Sequence, residues 1–289
     1  MKKIAILGCE NSHADSFLKF IKHKEEFNDI EVVGVYSDDL PAAEKLREKF
    51  GVPVLGDYAD AVGKIDGLII TARHGDNHYK YAKPYIKSGI PMFIDKPITV
   101  KEEEAVAFMR ELRENGVPFC GGSSLKQDAF VMKLKEEAQN ETNGKTIGGI
   151  VRAPYSSENA YGGFYFYSQH LVEMICEIFG RFPLSVTAKQ NGKQIHVLFH
   201  YADYDCVGVY TDGNYLYYAA RMAEKATTGF EIPSSGDWFY REFKEFYELL
   251  HGAPRGITHE EFISPVFIMN AIERSLASGK EETIGYTAV

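Results

Sequence analysis

The chain has 289 residues, 45% hydrophobic and 25% charged, a composition of an ordinary globular protein long enough for two domains. A formal net charge of −9 argues against a nucleic-acid-binding surface, which needs clustered Lys and Arg. No apolar run approaches the ~18 residues that a membrane span requires, so neither nucleic acid nor membrane is expected as a partner.

The first half of the chain alternates between short apolar runs and amphipathic stretches. Strands are predicted over 3–7, 31–36, 53–55, 67–71, 92–94 and 117–120. Helices are predicted over 14–24, 41–50, 78–87 and 100–115, with a brief helical piece over 58–62. Residue 1 onward reads as the first strand of a cytoplasmic protein, since its apolar segment is too short for a signal peptide and leads into Glu10-Asn11-Ser12-His13. Short strands buried on both faces and alternating with helices predict a parallel, doubly wound sheet.

Near residue 121 the pattern changes with no flexible linker. A helix over 126–141, a strand over 147–153 and a helix over 169–179 lead into strands over 185–189, 194–201, 206–211 and 215–220. Turn pairs such as Asn191-Gly192 and Asp212-Gly213 separate the later strands, which predicts an antiparallel meander. Helices over 238–250 and 260–278 close the chain. The expected fold is therefore α/β: an N-terminal Rossmann domain over 1–121 and a C-terminal α+β domain over 122–289 with a mostly antiparallel open sheet. The second domain would carry substrate binding and oligomerisation. The four cysteines are far apart and contain no C-x-x-C pair, so they read as reduced thiols.

Candidate chemistry concentrates at one stretch, Met92-Phe93-Ile94-Asp95-Lys96-Pro97. A buried strand here delivers an Asp-Lys pair to its carboxyl end, where ligands bind in open α/β sheets, although a surface ion pair at a strand exit would read the same way. A dinucleotide fingerprint would place G-x-G-x-x-G after the first strand. The turn is instead Gly8-Cys9-Glu10-Asn11-Ser12-His13, with only the first glycine present. Ser12 and the amides of a helix N-terminus are suited to hold a phosphate, with Glu10 beside it repulsive unless turned away. After Ser37, Asp38 or Asp39 is placed to bind ribose hydroxyls and favours NAD; helix N-capping before Pro41 explains the same residues. No neighbouring Arg awaits a 2′-phosphate, which again leans toward NAD.

The order of these segments resembles the Gfo/Idh/MocA oxidoreductases, which include glucose–fructose oxidoreductase and inositol dehydrogenase. The resemblance rests on Ile69-Ile70-Thr71-Ala72 with Asn77-His78, on Phe93-Ile94-Asp95-Lys96-Pro97, on Gly162-Gly163-Phe164 with His170-Leu171-Val172-Glu173, and on the run from Ala271 to Lys280. It covers residues 1 to about 285. It implies NAD or NADP as cofactor, placed between two domains and contacting Gly8, Glu10, Asn11, Ser12, Ser37, Asp38, Thr71, Arg73, His74, His78, Asp95, Lys96 and Pro97. It implies Lys96 and His170 as the proton-transferring pair acting on a sugar, polyol or related hydroxy compound. A dehydrogenase of this kind needs a group that takes the hydroxyl proton, and a lysine beside apolar neighbours has the lowered basicity for it. The resemblance further implies a homo-oligomer, dimer or tetramer, through the open face of the C-terminal sheet, where Tyr210, Tyr215 and Tyr217 are expected.

The chain also departs from the family pattern. Where the family carries an aspartate four residues before the histidine, this sequence has Phe166, and Ser168 and Glu173 replace two further motif residues. Tyr165 and Tyr167 remain as phenols near the substrate, or as packing at the domain seam. A binding or regulatory protein that keeps the scaffold without turnover is the alternative reading. His196 and His200 share one face of a strand, but their separation suits a solvated or interface face better than a metal, and no metal is expected.

Overall fold

The computed structural model describes residues 1–233 and 236–289. The first layer is a five-stranded parallel sheet of β1 (Lys2–Leu7), β2 (Ile30–Tyr36), β3 (Gly67–Ile70), β4 (Met92–Asp95) and β5 (Phe119–Gly122), in the order β2-β1-β3-β4-β5. A single parallel bridge between Val35 and Val54 marks the strand expected over 53–55 and extends the order toward the dinucleotide-binding pattern. Helices α1 (Ser12–His23), α2 (Leu40–Phe50), α3 (Asp76–Ala82) and α4 (Glu102–Glu114) connect the strands. β3 and β4 are buried along their whole length, which is why they read as continuous apolar runs.

Two local expectations change. Residues 58–62 form turns, not a helix, because the Asp60 carboxylate accepts the amides of Gly56 and Asp57 at 3.0 and 2.9 Å. The helix expected over 78–87 begins earlier, at Asp76, and passes into a 3₁₀ turn over Lys83–Ser88. Pro84 has no N–H for the next α-helical bond.

The second layer is a seven-stranded sheet. Its strands are β6 (Thr146–Tyr155), β7 (Ser185–Asn191), β8 (Gln194–His200), β9 (Asp205–Asp212), β10 (Tyr217–Ala223), β11 (Thr227–Ile232) and β12 (Glu282–Thr283). They run in the order β11-β10-β6-β9-β8-β7-β12. Most pairs are antiparallel, but β6 and β9 are parallel, so the expected meander is a mixed sheet. The cause is α6 (Tyr165–Phe179), which carries the chain from β6 over to β7 and lets the β7–β8–β9 hairpins return. α6 starts four residues before the expected 169 because Gly162 and Gly163 turn the chain and their carbonyls accept the amides of Tyr165 and Phe166 at 3.3 and 3.2 Å. α5 (Ala129–Gln139) starts later than expected, where Asp128 caps it through the Phe130 amide at 2.8 Å.

The last two helices tie the layers together. α8 (His259–Ser278) packs on α4 and α6, and its start carries a reciprocal Thr258–Glu261 capping box. α7 (Trp238–Leu250) returns to the first sheet and packs on α1 and β5. Phe243, Phe246, Leu249 and Leu250 are buried there against Phe17, Phe27 and Phe93, each by an amount worth about 2 kcal/mol. The approach is close enough that a Cβ on Gly67 would lie 2.6 Å from Leu250 Cδ1.

Candidate active site

Two cavities lie along the carboxyl edge of the first sheet. The inner one, of about 270 Å³, has room for roughly nine waters at about 30 Å³ each, the scale of one substituted ring. Lys96 from the exit of β4 and His170 from the first turns of α6 both line it. Tyr167, Tyr217, Trp238 and Phe239 supply aromatic walls. The outer cavity, of about 420 Å³, is bordered by Glu10, Ser37, Asp38, Asp39 and Asp76. Between them Arg73 stacks at 5.0 Å over the Tyr161 ring and donates from Nη1 to its hydroxyl at 3.0 Å.

The β4 exit is anchored by hydrogen bonds. The Asp95 carboxylate is fully buried and accepts the Asn11 side-chain amide at 2.8 Å and the Lys96 backbone amide at 2.7 Å. Gln169 on α6 accepts the Ile98 amide at 3.2 Å and so ties the following loop to the second layer. Lys96 is 4% exposed, and its Nζ sits 4.7 Å over the ring of Phe166. Burial lowers its basicity, Asp95 and Glu242 pull it back up, and Arg73 lowers it further; the net is a fall. His170 shares a 2.6 Å hydrogen bond between its Nδ1 and the Ser123 hydroxyl, which follows β5. Burial, then the charges of Lys96 and His13, hold this imidazole well below its ordinary pKa and therefore neutral.

The turn after β1 is narrow. Gly8 has φ +74°, and a Cβ there would lie 2.3 Å from the Ala72 amide nitrogen, so only glycine fits. Glu10 does not lie over the α1 N-terminus. Its carboxylate accepts the Ser37 hydroxyl at 2.6 Å and the Arg73 amide at 3.0 Å, linking the ends of β1, β2 and β3. Asn11, at the N-cap of α1, makes no side-chain cap, so the first amides of that helix are open to an anion. The open α1 amides and Ser12 suit an anionic phosphate, and the Asp38 carboxylate, which accepts the Tyr36 hydroxyl at 2.7 Å, borders the outer cavity.

The residues expected along the crevice separate in space. Glu10, Asn11, Ser12, Arg73, Lys96 and His170 reach one or other cavity, and Ser37, Asp38 and His74 border the outer one. Asp39 caps α2 through the Ala42 amide at 3.4 Å. Thr71 and His78 have no exposed surface. Thr71 donates to the Gly8 carbonyl at 3.1 Å, and the His78 ring spans the carbonyls of Ala72 and Ile98. Both build the crevice from behind, as do Asp95 and Pro97. Tyr165 turns away from the cavity and donates to Glu273 at 2.8 Å, whereas Tyr167 lines it. Of the tyrosines expected on an oligomer face, Tyr210 is buried within the chain, while Tyr215 and Tyr217 border the inner cavity and Tyr215 is 54% exposed. His170 and Glu173 are 7% and 1% exposed. His200 pairs with Asp205 at 3.0 Å and Thr187 at 3.1 Å, while His196 is exposed.

Several site residues escape a reading of the sequence. His13 lies with Nδ1 3.3 Å from Asp95 and Nε2 3.2 Å from Glu242 on α7. One carboxylate lies near each ring nitrogen, and one ligand atom from each of the three residues falls within 4.8 Å of the others. Glu242 had one sequence signal, a charge set within the apolar stripe of Phe239, Phe243 and Phe246. Ser123 had only its place at a strand exit.

Comparison with known proteins places the chain. Residues 2–122 match the model of an oxidoreductase family with an NAD-binding Rossmann fold. The whole chain superposes on a myo-inositol dehydrogenase from Corynebacterium glutamicum with a TM-score of 0.84 and 16% identity, covering 99% of this chain and 100% of that one. It superposes equally, at a TM-score of 0.84 and 15% identity, on scyllo-inositol dehydrogenase from Lactobacillus casei with bound NAD(H) and scyllo-inositol, covering 98% and 99% of the two chains. A myo-inositol 2-dehydrogenase from Lactobacillus plantarum gives the same TM-score of 0.84 at 15% identity, with 98% and 99% covered. At these identities the likeness is one of fold. No curated protein matches the sequence.

Proposed function

We propose, from the match of residues 2–122 to an oxidoreductase family model with an NAD-binding Rossmann fold, that the chain is a Gfo/Idh/MocA-type NAD(P)-dependent oxidoreductase acting on the CH–OH group of a polyol, sugar or related hydroxy compound. One observation carries the reading. Lys96 and His170 come from different layers, line the same cavity, and are each pushed by burial toward the neutral form. A neutral amine accepts the hydroxyl proton in oxidation and, once charged, returns it in reduction. Ser123 holds His170 through Nδ1 and leaves the other ring nitrogen for the substrate oxygen. The nicotinamide, when bound, supplies the hydride chemistry. The α1 amides, Ser12 and Arg73 hold its phosphates, and the aromatic walls keep water from the reacting carbon.

The outer cavity favours NAD over NADP, because Asp38, Asp39 and Asp76 stand where a 2′-phosphate would add negative charge. Assembly as a dimer or tetramer through the C-terminal sheet is part of the same proposal, with exposed Ile147 and Met222 on that sheet as contacts. Four buried free cysteines accord with a cytoplasmic setting. Among the described residues no helix is long and apolar enough to cross a membrane.

The second reading, a cofactor- or sugar-sensing protein without turnover, draws on Phe166, whose ring covers Lys96 where the family carries an acid. Turnover assays over a polyol and sugar panel with NAD and NADP separate the two. Oxidation of one panel member supports the enzyme; saturable cofactor binding with no turnover supports the sensor.

A further inference from the structure

Beside Lys96 three ionisable side chains meet in a site that reaches water only where His13 lines the edge of the inner cavity. His13 comes from α1, Asp95 from β4 and Glu242 from α7, and they are 3%, 0% and 0% exposed. The ring lies 3.3 Å from Asp95 Oδ2 and 3.2 Å from Glu242 Oε2. Asp95 is further held by Asn11 and by the Lys96 amide, whereas neither Glu242 oxygen, nor the His13 Nε2 that lies 3.2 Å from one of them, makes an aligned hydrogen bond. A buried carboxylate so poorly served is costly, and such groups persist where their charge has a use.

The charges add to zero in one state: Asp95 and Glu242 negative, His13 and Lys96 positive. If Lys96 loses its proton, one net negative charge is left in a dry site. A proton on Glu242 restores the balance. We propose that Glu242, His13 and Asp95 form a proton-holding triad in which Glu242 takes up a proton when Lys96 gives one up. The inference rests on the reading of Lys96 as the proton-transferring group, and it makes Glu242 a positioning residue that acts through His13.

The step balances. In carbonyl reduction the Lys96 N–H bond breaks and the O–H bond of the product alcohol forms. His13 passes its Nε2 proton to Glu242, forming the carboxylic O–H, and regains a proton from solvent at the cavity edge that it lines. Oxidation runs the sequence backward, and no electrons move in the triad. The surrounding charges are compatible. His13 faces Asp95, Glu242 and Lys96; Glu242 faces His13, Asp95 and Lys126; Lys96 faces Asp95, Glu242 and Arg73. Lys126 is engaged by the Gly121 carbonyl. Burial pushes the Glu242 carboxyl up to about 7 against the pull of His13, which is where a proton exchanges at neutral pH. Burial opposes charge on His13, but Asp95 and then Glu242 outweigh it and raise its pKa.

Infrared difference spectra of the full chain, without substrate or cofactor, test this between pH 5 and 9. They follow the C=O stretch of a protonated carboxylic acid. The wild type is expected to show one buried acid titrating near neutrality. Lys96→Met is expected to move that midpoint upward by at least tenfold in proton affinity, and Glu242→Gln to remove the band. Glu242→Asp retains a band and serves if Glu242→Gln folds poorly. No acid titrating near neutrality in the wild type, or the same midpoint in Lys96→Met, overturns the triad. A Lys96 variant with unchanged turnover would instead overturn the role of Lys96 while leaving the spectra as expected, so the two failures are distinct.

Discussion

The two cavities along the first sheet hold opposite charge and are built in opposite ways. The outer one is acidic and is bordered by the ends of β1, β2 and β3 with the segments that follow them, all within the first 81 residues except where the 160–161 loop closes over it. The inner one offers Lys96, Arg73 and aromatic rings, with Asp95 and Glu242 kept behind His13. It needs α6 and α7 to exist at all. The difference teaches that, under the proposed function, cofactor recognition is a local property of the first sheet and its loops, while the chemistry depends on long-range docking.

The sharpest way to break that division is at the lysine. Lys96→Ala is expected to lower kcat by about 10²–10⁴-fold, the usual range for a positioned proton-transfer group, with the NADH affinity unchanged. Steady-state kinetics with a fluorescence titration check both halves, and an unchanged kcat would remove Lys96 from the mechanism. A smaller effect is expected at the support of the other partner. Ser123→Ala leaves His170 without its Nδ1 bond and is expected to cost roughly tenfold in kcat/KM, the worth of one hydrogen bond, with no change in cofactor Kd.

The outer cavity answers to a different change. Glu10→Gln keeps one acceptor, for the Arg73 amide, turns an N–H toward the Ser37 hydroxyl and removes a negative charge beside the outer cavity, so the NADH Kd is expected to fall by about threefold while kcat holds. Weaker NADH binding in that variant would mean that the carboxylate itself serves the cofactor. Stability carries the smallest signal. The Glu242 pKa is about 7 in the folded chain against 4.5 unfolded, so the native state binds more protons between those values and loses stability as pH rises through them. His13, also raised, acts with the same sign. His170, lowered, acts with the opposite sign below 6.5 and is common to both proteins. Thermal melting from pH 5 to 7 should therefore show the wild type losing on the order of a few degrees more than Glu242→Gln. Parallel pH profiles would show that Glu242 ionises as freely folded as unfolded.

The same contrast explains what was legible in the sequence. The Rossmann half was readable because each strand is a short apolar run and each helix a separate amphipathic stretch, and because Asp95-Lys96-Pro97 ends a fully buried strand. The second sheet was readable as strands but not as a topology. The parallel pairing of β6 with β9 is imposed by the α6 crossover and leaves no local mark. β11, with Thr227, Thr228 and Gly229, lacks the apolar alternation that marks an inner strand. The site followed the same rule. Lys96 and His170 carried motifs, whereas Ser123 and Glu242 acquire their roles only by docking against them. His78 shows the converse: the resemblance made it a cofactor contact, but its ring lies against two backbone carbonyls.

The central claim, a nicotinamide cofactor held at the mouth of the inner cavity, is tested most directly by fluorescence. Trp238 is the chain's single tryptophan and lines that cavity. Titration with NADH should quench its emission saturably, with energy transfer to the reduced nicotinamide, and NADPH should bind more weakly. No saturable change with either NADH or NADPH would contradict the account.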